Sequence, residues 1–340
     1  MEIDIFWLIA AFGGGAFGAA IGGQTAFIFT GLMYLVGLGV YMAGLDAGWF
    51  MGSVVFGPVF GPHIAFLGGA AAAAYAAKVG AMPKGVNGRD IVSPLAGIAR
   101  TDVLMVGGAF GILGYLVNNF FAWILPTFKA GDPSLHYGSE VIGATDTVAL
   151  TIIVLSIVIR YAFGSTGMFK KVNGLGLMEV GEGKHWVEHQ EKWGVSAAHG
   201  LTSGLMSAFA TLVVVQFVFE AQPGIVNHAQ LIGWAISAVT LIFLSLGMKT
   251  PVTHHMTILA SIAALKFAPI IAGTSAVGEW TSTHMAIALI IGGIVGALGA
   301  LLGEALSRAT NANGDTHIDP PAFAIWVGTS VLYGITAILA

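Results

Sequence analysis

Runs of about 18 or more apolar residues recur from one end of this sequence to the other, and that feature rules out most folds. At 1.5 Å per residue, each run is long enough as a helix to cross roughly 30 Å of hydrocarbon. Backbone inside lipid must satisfy its own hydrogen bonds, which leaves only helices and closed barrels. The runs are continuously apolar rather than alternating, which argues against a barrel. Composition agrees, with 56% of the 340 residues hydrophobic and 9% charged, against about 25% charged in soluble domains. The expected fold is an all-α polytopic membrane protein.

Several function classes drop out at once. There is no cysteine, which excludes disulfides and thiolate metal sites. The net charge is −4 with no basic patch, so a nucleic-acid partner is not expected. The opening MEIDIFW lacks a basic n-region, so the first hydrophobic element is expected to be retained. A formal GxGxxG at Gly13, Gly15 and Gly18 lies inside a membrane run and reads as helix packing or a helix break, not a dinucleotide site. No GK[ST] follows a glycine cluster, so neither a nucleotide nor any other cofactor is expected.

The chain repeats itself. LMVGGAFGILGYL (104–116) lies over LIIGGIVGALGAL (289–301), sharing LxxGGxxGxLGxL. HIAFLGGAAAAAYA (63–76) lies over HMTILASIAALKFA (255–268), so that His63 matches His255. Weaker anchors are Trp7 with Trp193, Gly48-Trp49 with Gly233-Trp234, and Asp146 with Asp319. The offsets run 186, 185, 192, 185 and 173 along the chain, with order preserved. This divides the chain into a first transmembrane repeat (1–164), a polar cytoplasmic linker (165–192) and a second repeat (193–340).

Each repeat reads as five elements: 6–43, 45–61, 63–79, 103–121 and 144–163, then 193–219, 229–248, 253–273, 284–305 and 320–339. Five is odd, so about ten spans would set the second repeat upside down relative to the first. In that arrangement every basic residue except Lys129 and Lys266 falls on one side, which the positive-inside rule makes cytoplasmic, with both termini outside. The long 6–43 element could cross once or twice. The 49 glycines fit close helix packing and broken helices.

Inverted repeats with broken helices are typical of solute pathways. The expected function is a transporter or channel for a small neutral or singly charged solute, with the bilayer and that solute as partners and a homo-oligomer as a compatible assembly. Ionisable groups within membrane are costly, which makes each one a candidate. His63 lies 15 residues before Lys78, about 22 Å along a helix, which predicts a place toward the outer side and an inner place for His255. TPVTHH (250–255) places Thr253, His254 and His255 at a helix break, opposite FGPVFGPH (56–63). Asp146 and Asp319 stand at matching helix starts, where capping competes with ion or proton handling. Asn119 is a candidate for the outer vestibule. Glu304 and Arg308 are spaced for a helical ion pair. A second reading assembles His254, His255, His317 and Asp319 as nitrogen and oxygen ligands of a membrane metalloenzyme. A third is a structural or assembly subunit.

Overall fold

The computed structural model describes residues 4–169 and 174–339; Lys170 and Lys171, two of the basic linker residues, lie outside it. Within these residues seven helical segments are long and apolar enough to cross a membrane, and two shorter apolar helices accompany them. The helices of the first half are α1 (Ile5–Ile21), α2 (Gly23–Met42), α3 (Gly48–Phe50), α4 (Leu67–Lys78), α5 (Thr101–Ile124) and α6 (Thr147–Phe163). The second half has α7 (Trp193–Val218), α8 (Ile225–Ala229), α9 (Ile232–Ser245), α10 (His254–Ala272), α11 (Ser282–Leu306) and α12 (Pro320–Leu339). A small hairpin, β1 (Thr127–Lys129) and β2 (Val141–Gly143), sits between α5 and α6.

Glycine sets how close the helices come. A methyl group on Gly15 of α1 would lie 2.3 Å from the Gly107 carbonyl oxygen and 2.8 Å from Gly111 Cα, so α1 and α5 meet backbone to backbone. The arrangement recurs between α7 and α11, where a methyl on Gly200 would lie 2.4 Å from the Gly296 carbonyl. The trio α1, α4 and α5 thus has a counterpart in α7, α10 and α11.

The second-half helices fall where the sequence places them. The first half differs in how its elements divide. Gly22 has φ +91°, a left-handed geometry that breaks 5–42 into two helices. Helix α1 runs in the same sense as residues 58–69, with Gly14 against Pro58 and Gly18 against Ala65. Helix α2 returns in the opposite sense, from Gly23 beside Phe66, past the Thr30 hydroxyl donating to the Phe60 carbonyl (2.6 Å), to Gly37 beside Met51. Residues 45–61 and 63–79 are not two separate elements. They form one broken run, with π-helical turns at Met51–Val55 and Pro62–Phe66 flanking an irregular FGPVFG.

The connections gather into two groups. In one, Arg89 donates to the carbonyls of Ala312 (2.5 Å) and Lys184 (3.0 Å), Gln190 and Val252 bond reciprocally, and Arg308 donates to the Glu191 carbonyl (2.7 Å). This ties together 79–100, the linker, 246–253 and 307–319. Fully buried Arg160 reinforces it, donating to the Thr316 hydroxyl (2.5 Å), the Thr316 carbonyl (2.6 Å) and the Gly167 carbonyl (2.8 Å). Glu304 and Arg308 form the expected i,i+4 pair at 2.5 Å. The other group joins 125–146 to 273–281 through Ser275 and Ser134 (3.2 Å), and 43–44 to 222–224.

Candidate functional site: a cavity between the halves

Helix α2 lies antiparallel to α9, with the Gln24 amide donating to the Ser245 hydroxyl (2.7 Å) and the Tyr34 hydroxyl to the His228 carbonyl (2.7 Å). Helix α6 lies antiparallel to α12, with Asp146 beside Thr329 at one end and Arg160 on Thr316 at the other. Between these two seams is a cavity of about 150 Å³. Its wall is mainly aromatic and aliphatic, including Phe27, Phe56, Phe66, Trp186 and Trp234. Four polar side chains interrupt it: Gln24, Asp146, His254 and Asp319.

The wall is built from matched positions. Asp146 and Asp319, Val148 and Pro321, Ala149 and Ala322, and Ile152 and Ile325 are all lining pairs 173 positions apart. Pro62 and His254, and Phe66 and Ile258, are lining pairs 192 positions apart. These are two of the offsets by which the sequence repeats.

Both aspartates are helix N-caps. Asp146 accepts from the Ala149 amide (2.8 Å) and Asp319 from the Ala322 amide (2.7 Å). Capping and a place on the cavity wall coexist, because the helix starts themselves point at the cavity. Asp319 has a further partner, His317 Nε2 at 3.0 Å. The position that matches His317 is Ala144, so Asp146 has no such histidine.

The other candidates stand elsewhere. His63 and His255 are buried but outside the cavity wall. The His63 carbonyl lies against Gly114 and the His255 ring against Gly303. His63 is therefore level with Gly114, just past the middle of α5. Nδ1 of His63, His254 and His255 is buried with no hydrogen-bond partner among the described residues. Thr253 bonds Ser237 (2.5 Å) and faces a separate surface pocket with His199 and Thr240. Asn119 is half-buried on α5, away from the cavity. His254, His255, His317 and Asp319 do not converge: among the described residues no three His, Asp or Glu groups are placed to hold a metal ion.

Gln24 is the polar wall residue missing from the sequence reading. It is the sole amide side chain in the 23–42 run, and that isolation is the signal that could have found it.

One family model, described as a family of unknown function (DUF7973), matches the chain twice, over residues 1–181 and over residues 178–340. No curated protein matches. No solved structure matches either.

Proposed function

We infer that the chain, which belongs to this family of unknown function, is an integral membrane transporter or channel that moves a small solute between two inverted repeats. The observation that carries this reading is the cavity wall, assembled from residue pairs at the repeat offsets. A duplicated chain whose halves only packed together would have no reason to leave space at their shared seam. The antiparallel pairings of α2 with α9 and α6 with α12 support inversion, because a twofold axis in the membrane plane sets equivalent helices antiparallel.

On this reading α1, α2, the broken run 48–78, α5 and α6 cross in turn, and the second half crosses five times in the opposite sense. The loop group that holds Lys84, Arg89, Lys184, Lys249 and Arg308 faces the cytoplasm. The wall accepts a solute with a substantial apolar surface and few polar groups, in keeping with aromatic rings around four polar side chains.

Purified protein in liposomes tests this with a panel of small neutral and monovalent solutes. The double substitution Ala149→Trp with Ala322→Trp fills both matched wall positions. Flux should exceed that of protein-free liposomes and fall at least about tenfold in the filled variant, which should still unfold cooperatively, at an unfolding temperature lowered in keeping with the ~1–3 kcal/mol that overpacking costs. Flux equal to protein-free liposomes across the panel would refute the reading.

A further inference from the structure

Lys266 has no counter-ion among the described residues: none of their carboxylates is within ion-pair distance of it. It lies on α10, seven residues before the helix-ending Gly273. Its ammonium stands 6.0 Å from the centre of the Tyr333 ring. It faces a vestibule of about 380 Å³ whose wall carries the side-chain amides of Asn227 and Gln230, beside the hydroxyls of Tyr137 and Thr145, which donate to the Leu265 and Trp326 carbonyls. Thr145 in this wall is followed directly by Asp146 in the wall of the central cavity.

The opposite face has a second vestibule, of about 660 Å³, where Lys78 stands 5.6 Å from the centre of the Phe163 ring. By the repeat offsets, Lys266 matches Ala74 and Tyr333 matches Arg160, each about one helical turn from Lys78 and Phe163. The same lysine-over-ring arrangement is therefore built at both mouths from positions that do not correspond. Duplication of the halves does not supply it. Simple reach to the headgroups does not account for a lysine that faces a polar vestibule beside the path.

The geometry points to the Lys266 vestibule as a binding site for a small monovalent anion, which the ammonium pairs and the Asn227 and Gln230 side-chain amides orient. This rests on the transport reading for its purpose, and it makes the solute class anionic. The two carboxylates of the cavity do not oppose capture at the mouth: Asp146 is turned to the Ala149 amide and Asp319 to His317 and the Ala322 amide.

Nitrate and acetate are the probes, titrated against the detergent-purified chain by thermal shift; nitrate does not cross lipid as a neutral acid. Both should bind. Lys266→Met should weaken binding by about tenfold or more, Lys266→Arg should keep it within a few-fold, and Lys129→Met should leave it unchanged. No binding by the parent chain, or equal binding by Lys266→Met, would overturn the site. Flux across the liposome panel, extended to monovalent anions with an apolar body such as benzenesulfonate, separates the two readings. Lys266-dependent binding without flux would keep the site and overturn transport; flux without Lys266-dependent binding would keep transport and overturn the site.

Discussion

At Gly15 there is no space for even one methyl group, because the nearest atoms belong to the backbone of α5 rather than to a side chain that can turn away. Gly15→Ala should cost about 1–3 kcal/mol, read as a lowered unfolding temperature in detergent. An unchanged unfolding temperature would show that α1 and α5 can part freely. Asp315 supplies a pH test. Burial alone would raise its carboxyl, but hydrogen bonds from Thr166 and Ser165 and the nearby Arg160 guanidinium hold it below the usual 3.8. A depressed carboxyl stabilises the fold while ionised, so the contribution is present above that value and is lost as pH falls through the lower, folded-state one. Acid-dependent loss of thermal stability should therefore be shallower in Asp315→Asn than in the parent. Equal slopes would remove Asp315 from the account.

Among the elements, the seam between α2 and α9 is the most exacting claim, and a chain without cysteine makes it easy to probe. Gln24→Cys with Ser245→Cys should be joined by a short bifunctional thiol reagent, and Gln24→Cys with Trp193→Cys should not. The second-half helices were legible in sequence because the apolar runs of α7, α9, α10 and α11 end at a charge or a glycine turn and α12 starts at Pro320-Pro321. The first half was harder, since glycine serves two purposes there. Gly22 reverses the chain, whereas the glycines of FGPVFG interrupt a run that then continues in the same direction. Both look alike in sequence, because what separates them is whether the next helix finds its partner ahead or behind.

For the molecule as a whole, the two loop groups predict labelling from opposite faces. Single cysteines at Lys84 and at Lys184 should react with an impermeant thiol reagent from the same side of a sealed vesicle, and one at Lys129 from the other. Reaction of all three from one side would break the proposed topology. The candidate site was partly legible at this scale. Asp146 and Asp319 were marked by the repeat and do line the cavity. The stronger match of His63 with His255 led elsewhere: neither lines the cavity, and their segments pack against Gly114 of α5 and Gly303 of α11. The aromatic wall had no signal, because in an apolar run spacing does not reveal which face meets the other half.

The hairpin between α5 and α6 bears on direction. Twenty-two residues, 125–146, join those helices beside one mouth, whereas only eight, 312–319, join the end of the α11 run to α12 beside the other. On the transport reading, a corridor with matched walls would be reached through unlike doorways. Matched walls alone would give equal conductance either way; the doorways should make the protein a rectifier. Initial rates measured inward and outward on uniformly oriented vesicles, at equal and opposite gradients, should differ, and shortening 127–143 should bring them together.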